Sequence, residues 1–392
     1  MDEEVIFSKA KIKCIIFMKI KTVENNKDLL KFIKFQWEVY RNDPYWVPQL
    51  ISDLKLLFDE KKNYFWEHAE KKLFFLEDNT GKILARAAGI IDYNFIKFHN
   101  ENTGFFAFFD CLNLENSKEI SSAILSAVEE WLKKKGMTKM LGPTAPSTND
   151  EMGLLYEGYG VEPVLMMPYN PSYYHDLLLN YGFKKAKDLY AYKITKETLE
   201  KQRIEKLIEA IKRKQPSLVV RPVNLKNFKQ EIAYAVEVYN AAWEKNWGFV
   251  PWTQKEFISQ ALRLKPLLKP EFVLLAFIKE EPVGIMITVP NYNEVLKKLN
   301  GKLGPFELLK FLYYKNKIKS LRIMVMGVKK EYRNKGIEVL MYYHTMLEGL
   351  KQGYEWAELS WILEDNHMMI KAAEALGGIL YKKYRVYEKI IC

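Results

Sequence analysis

The chain repeats its own layout at a near-constant distance, and this duplication constrains its architecture more than any single motif. Each half begins with a short strand pattern (20–23; 220–223) and an amphipathic helix pattern (27–40; 226–239), followed by Trp46-Val47-Pro48 in one and Phe249-Val250-Pro251 in the other. Two strand patterns around a turn come next, 72–76 with 85–92 and 272–277 with 284–289, and both pairs run out into Tyr-Asn (Tyr93-Asn94, Tyr292-Asn293). Further on the register is constant at 217, given both by Gly353 less Gly136 and by Val328 less Cys111. Asn170 through Gly182 to Tyr192 then mirrors Asn366 through Gly377 to Tyr387.

The two halves differ in length at one place. From Gly136 to Asn170 is 170 − 136 = 34 residues, whereas from Gly353 to Asn366 is 366 − 353 = 13, so the first half carries 34 − 13 = 21 extra residues. They fall at about 142–168 and are rich in Pro, Gly and Tyr, which predicts a loop leaving the C-terminal end of a strand, where α/β folds place binding sites. The loop is expected either to shape a substrate site or to plug the space between halves.

The halves also differ in chemistry. In the second, the apolar stretch 323–328 leads through Lys329-Lys330-Glu331-Tyr332 into Arg333-Asn334-Lys335-Gly336-Ile337-Glu338 and a long helical pattern. A strand ending at Val328, an Arg three residues before a Gly, and a helix opening there would gather free backbone N–H groups at the positive end of a helix dipole, a site for phosphates. The offset of 217 sets Asn116 against Arg333 and Glu119 against Gly336, replacing a cation by a neutral side chain and bare backbone by a carboxylate. Only the second half is expected to bind the anion.

That segment resembles the acyl-CoA loop of the GNAT superfamily of acyl-CoA-dependent N-acyltransferases, Arg/Gln-x-x-Gly-x-Gly/Ala. Arg333 and Gly336 match it, while Glu338 stands where a small residue is expected. From Met18 on, the chain is similar to bacterial tandem-GNAT proteins. The resemblance implies an α/β (mixed α+β) fold of two tandem GNAT-like domains, each a mixed, centrally antiparallel twisted sheet flanked by helices. The parts would be an N-terminal extension (1–17), a degenerate domain (18–194) with the insertion at 142–168, a charged helical linker (195–217), and a domain with the acyl-CoA site (218–392). Implied partners are acetyl-CoA or another acyl-CoA as co-substrate and a small-molecule or peptide amine as acceptor, with a homodimer left open. By the same resemblance Arg333, Asn334, Lys335, Gly336 and Ile337 would cradle the phosphates. Met326 and Val328 would hold the pantetheine, and the Val328 backbone would polarise the thioester. Asn366 would either cap the last helix or touch the CoA.

GNAT enzymes often keep a Tyr four residues before the Gly that ends the last helix, as general acid to the thiolate. Here that position is Ala373. Tyr381, Tyr384 or Tyr387 would substitute only by facing the cleft. Glu358 and Ser360 are base candidates, since a two-residue period points both away from Leu359 to one face. A carboxylate on a buried strand needs a raised pKa or a charge partner on a neighbouring strand. Glu358, Ser360 and Tyr387 are therefore the catalytic candidates. The missing Tyr and the presence of Glu338 leave a second reading, a non-catalytic acyl-CoA-binding or sensing protein.

Other functions are excluded by composition. The net charge of +11 is carried largely by lysines alternating with glutamates along helical stretches such as 196–214, so it reads as solvated helix faces, with no legible nucleic-acid motif. The five histidines show neither metal-ligand spacing nor neighbouring cysteine pairs, and no Gly-x-Ser-x-Gly elbow is present, so no metal and no hydrolase triad are expected. Three cysteines without pairing logic, and no apolar run near the roughly 18–20 residues that span a bilayer, point to a cytoplasmic protein. Trp243, Trp247 and Trp252 cluster around Gly248-Phe249-Val250-Pro251 and would either line an acceptor pocket or form aromatic core.

Overall fold

The computed structural model describes residues 18–244 and 246–391. The extension expected at 1–17 lies outside the described residues, as do Cys392 and Cys14. In the first half the strands are β1 (Lys19–Thr22), β2 (Ala69–Glu77), β3 (Ile83–Asp92), β4 (Thr103–Cys111), β5 (Lys139–Ala145), β6 (Glu151–Met152), β7 (Leu154–Glu157) and β8 (Lys184–Thr195). The second half adds β9 (Leu218–Pro222), β10 (Val273–Ile278), β11 (Glu281–Pro290), β12 (Ser320–Val328), β13 (Trp356–Leu363) and β14 (Ile379–Ile390).

All of them join one sheet in the order β1-β2-β3-β4-β5-β14-β8-β13-β12-β11-β10-β9, with β6 beside β5 and β7 beside β14. The order mirrors itself about the β14–β8 pair. Pairing along this order is antiparallel except at β4–β5 and at the matching β12–β13. The first half contributes the run β1–β5 and the second β9–β13, and each gives its last long strand to the other half: β8 pairs with β13, and β14 with β5. The two halves thus share a continuous sheet, and the boundary expected near residue 194 runs through it.

Strands in the centre of each unit are buried on both faces, so β3 reads as the near-continuous apolar run Ile83–Asp92. One face is covered by the helix Ser117–Lys134, which buries Ile120, Ile124, Leu125, Val128 and Leu132 at helical spacing. The helix Ile337–Lys351 does the same for the second unit through Ile337, Leu340 and Met341. The linker forms the helix Lys201–Lys214, with Ile204 and Ile208 buried in the second unit's core.

The insertion is more ordered than its composition predicts. β5 runs on to Ala145, and β6 and β7 follow within the stretch expected to be loop. Beyond them the chain crosses to the second half, where polar side chains satisfy its backbone. Leu165 N–H donates to Asn291 Oδ1 (2.9 Å), Pro163 O accepts from Asn293 Nδ2 (2.9 Å), and Glu162 O accepts from Lys382 Nζ (2.7 Å).

Candidate active site

The parallel pairing of β12 with β13 covers only four residues, from Ser320 opposite Trp356 to Ile323 opposite Leu359. Past that point β12 bulges at Met324 against β11 and the two strands part. The gap is a groove of about 270 Å³ bordered by Trp243, Met326, Val328, Arg333, Glu338 and Asn366. It continues inward as a space of about 70 Å³ beside Tyr342, Leu359 and Ser360. Trp243, at the end of the helix Phe228–Trp243, forms a wall common to both spaces. It lies so close to β12 that a Cβ on Gly327 would fall 2.2 Å from its ring. Of the other two tryptophans, Trp247 borders the groove while Trp252 packs edge-on against Tyr239 and Phe257, so the cluster divides between site and core.

At the outer end of the groove the loop turns through Asn334 (φ 62°) and Gly336 (φ 79°). A Cβ on Gly336 would meet Ile211 of the linker helix at 2.5 Å, so the linker seals the back of the loop. Arg333 donates to Ala242 O (2.7 Å) and Val328 O (3.3 Å), which aims its charge without neutralising it. Lys335 rests over the Tyr332 ring at 4.5 Å. The helix Ile337–Lys351 begins after Gly336 with no side-chain cap. Glu338 occupies that end. Burial raises its pKa, against the pull of its own amide and of Arg333. Asn366 Oδ1 caps the helix His367–Ala375 at Met369 N (3.2 Å), and the residue also borders the groove.

In the first half the matching strand end is closed. Cys111 N–H donates to Tyr174 OH (3.0 Å) and Cys111 O accepts from Tyr173 OH (2.6 Å). Ser117 Oγ accepts from Leu114 N–H (2.6 Å) and donates to Leu112 O (3.0 Å), so the loop's polar groups are satisfied internally. Its helix starts at Ser117, three residues earlier than the offset of 217 would place the start at Ile337. Lys118 and Glu119, the counterparts of Lys335 and Gly336, are wound into the first turn.

Deep between the halves lies a polar cluster. Glu358 is fully buried and sits in register with Arg322 of β12, also buried. Tyr381 donates to Glu358 Oε2. Among the described residues neither Glu358 Oε1 nor Tyr384 OH has a partner. Arg322 donates from Nε to Ser360 Oγ (3.2 Å), from Nη2 to Ser360 O (3.3 Å), and from Nη1 to Leu165 O of the insertion. Burial, reinforced by the Glu358 charge, drives both the Tyr381 and Tyr384 phenols far above their ordinary pKa. Burial also lowers Lys382 against the pull of Glu358 and Glu162.

Glu358 and Ser360 are brought together as their spacing predicts. Tyr387 is not with them: because β14 crosses to pair with β5, Tyr387 stands opposite Gly142 and its hydroxyl meets His175 Nδ1 at 2.6 Å. Tyr381 and Tyr384 occupy the place expected for it. Arg322 goes unread in the sequence, although a lone cation inside the apolar strand Ser320–Val328 is the signal for it.

Beyond the cluster is a chamber of about 340 Å³, walled by both halves, including Trp46, Leu50, Phe108, Leu165, Met166 and Leu264. Asp53, Asp150 and Glu151 are its carboxylates. Burial pushes Asp150 up to about 6 and Glu151 up to about 7, the latter against the opposing charge of Arg322. Ser147 Oγ donates to Asp150 (2.6 Å) and Gln49 Nε2 to Glu151 (2.8 Å). Arg322 and Ser360 thus stand between groove and chamber. Among the described residues no three His, Cys, Asp or Glu side chains are placed to hold a metal, and no helix is long and apolar enough to cross a membrane.

No protein-family model matches the sequence. The chain is 33% identical over 376 residues to the bacterial ceramide synthase of Caulobacter vibrioides, covering 94% of this chain and 96% of that one. It is 30% identical over 384 residues to protein YghO of Escherichia coli, covering 95% of each. Among solved structures, a tandem GNAT protein from the clavulanic acid biosynthesis pathway superposes with a TM-score of 0.59 at 8% identity, over 96% of this chain and 99% of that one. A GCN5-related N-acetyltransferase from Sphaerobacter thermophilus follows at 0.53 and 12% identity, over 95% and 96%. These two likenesses establish the fold.

Proposed function

The chain belongs to the family that includes protein YghO and the bacterial ceramide synthase, a family of GNAT-fold acyltransferases, and we propose that it transfers a long-chain acyl group from acyl-CoA to a long-chain amine. The product would be an amide of the ceramide class. One observation carries this reading beyond the family likeness: a groove and a chamber walled by both apolar and polar side chains approach each other at Ser360 and Arg322, so a thioester and an amphipathic amine can be held end to end.

The residues fit acyl-CoA in most respects. Arg333, Asn334, Lys335, Gly336 and Ile337 would receive the phosphates at an uncapped helix start. Met326 and Val328 would hold the pantetheine along the strand edge that β13 leaves free. Glu338 argues the other way, as a carboxyl in the phosphate end of the groove, and with Ala373 at the acid position it favours the second reading of a non-catalytic acyl-CoA binder.

In the reaction the amine nitrogen attacks the thioester carbonyl carbon, the C–S bond breaks and CoA leaves as a thiolate. Glu358, with Oε1 free, takes the proton lost by the amine, and Tyr381 fixes its orientation. Ala373 offers no acid, so the thiolate is protonated from solvent.

The test is turnover of a long-chain amino alcohol with palmitoyl-CoA and with acetyl-CoA, following amide by mass spectrometry and free thiol by colour. Amide formation that prefers palmitoyl-CoA, with one CoA bound per chain by calorimetry, is expected. Binding without turnover on any amine would favour the sensor reading, and a stoichiometry of two would refute the one-sided site.

A further inference from the structure

The helix Pro305–Tyr314 carries an apolar face that nothing in the described chain covers. Phe306, Leu309 and Tyr313 follow one another at helical spacing and are 78%, 65% and 59% exposed, with Leu303 just ahead of them at 52%. The opposite side of the helix is anchored. Phe311 stacks on Tyr292 (ring centroids 5.9 Å apart, 10° between planes), and with Tyr314 it packs into the cluster that contains Leu267 and Leu296. Both of those leucines also wall the 340 Å³ chamber, so the bare face lies one side-chain layer outside it.

Charge identifies what would cover this face. Between residues 302 and 319 stand Lys302, Lys310, Lys315, Lys317 and Lys319 against one acid, Glu307, whose carboxylate turns back onto the Gly304 N–H at 3.2 Å. Among the described residues only Lys319 of the five lies within ion-pair distance of a carboxylate, Glu355 at 3.0 Å. A protein partner of ordinary composition would match the apolar face but leave four lysines uncompensated. An anionic bilayer matches both, with the aromatic and leucine side chains entering the acyl boundary and the lysines reaching headgroup phosphates.

We propose that the helix Pro305–Tyr314 docks this protein onto the surface of an anionic lipid bilayer, beside the chamber in which a membrane-borne substrate would be taken up. The proposal goes beyond the acyltransferase reading. Its test needs no turnover, so the failure of one leaves the other standing.

The experiment is flotation of the full chain with vesicles of phosphatidylglycerol and phosphatidylcholine in equal parts, and with phosphatidylcholine alone. Binding is expected to the anionic vesicles, to fall with added salt, and to fall about fivefold for each lysine reversed in Lys310→Glu and Lys317→Glu. Phe306→Ser with Leu309→Ser should lower it at least about tenfold. These side chains are exposed, so circular dichroism and melting temperature should not move; if the apolar pair does unfold the chain, the lysine variants and the salt titration decide. Flotation of all variants equal to the parent would overturn the proposal. So would a dimer, seen by light scattering, that the same substitutions dissolve while no vesicle is bound.

Discussion

Gly327→Ala is the sharpest probe of the groove, because the collision it creates has a defined direction. The new Cβ would lie 2.2 Å from both Cη2 and Cζ3 of Trp243 and 3.0 Å from Ala242 Cβ. Carbon atoms need roughly 3.5 Å or more, so the indole must retreat by over about 1 Å. Tyr239 is stacked on the indole face at 4.5 Å, and Tyr239 is itself wedged among Phe249, Trp252 and Phe257. The groove that Trp243 walls is the space expected to take the displaced ring. Overpacking of this kind costs about 1–3 kcal/mol, and the displaced ring should weaken acyl-CoA binding by about tenfold, or roughly 1.4 kcal/mol. The two colliding atoms belong to the outer edge of the indole, which Trp243→Phe removes. In that background Gly327→Ala should cost less than about 0.5 kcal/mol, a coupling well within the range for residues in contact. Urea midpoints for the four proteins and calorimetry with acyl-CoA measure both quantities. An equal cost in the two backgrounds would refute the steric argument, and lost stability with unaltered binding would refute the displacement into the groove.

Glu338→Ala removes an anion from the helix start facing the proposed phosphate site and should tighten acyl-CoA binding by about three- to tenfold at low salt; equal affinities at low ionic strength would contradict it. Glu358→Gln keeps an acceptor for Tyr381 but no base, so kcat should drop by about a hundredfold or more with KM nearly constant. Tyr387→Phe, remote from Glu358, should lower kcat less than about tenfold, and the reverse ranking would exchange their roles. His68 stands between halves, 2.9 Å from Asp92 of the first and 3.0 Å from Glu256 of the second. Burial opposes its charge, but the two carboxylates outweigh burial and push its pKa from 6.5 to about 10. A folded pKa above the unfolded one means this stabilisation is whole below pH 6.5 and is lost as pH rises toward 10, so His68→Gln should flatten the alkaline fall of urea midpoints over that window. A profile unaltered by the substitution would count against this charge pairing.

The duplicated layout and the end of β12 were legible because both rest on local pattern. A repeat announces itself by spacing, and a Gly at φ 79° before a helix is a residue the turn requires. The exchange of β8 and β14 was not legible. Their alternating patterns, KKAKDLYAYKIT and ILYKKYRVYEKI, fit either neighbour, and nothing local says which sheet each joins. Tyr387 was misplaced for this reason alone. Arg322 and Glu358 are separately visible as lone charges in apolar strands, but their facing register depends on how β12 and β13 align across the 27 intervening residues, 329–355. The three-residue earlier helix start at Ser117 also escapes a fixed offset, since it reflects what happens when no left-handed Gly halts the helix. The positive charge, read as solvated helix faces, conceals the local excess around the helix Pro305–Tyr314.

The traded strands set a timetable for synthesis. Apart from Thr144 and Ala145, which pair with β6, the open edge of β5 is covered only by a strand that starts at Ile379, 379 − 145 = 234 residues after β5 ends. At roughly 5–20 residues per second, a nascent chain holds that edge bare for about 12–47 s. Ribosomes following one another along a message carry several chains in this state at once, and a β14 emerging from one chain is chemically indistinguishable from its neighbour's. Strand-swapped pairs are therefore the misassembly to expect, and their yield should climb with ribosome density on the message in a cell-free reaction sized by native gel. A yield independent of that density would mean that each chain protects its own edge until its own β14 arrives.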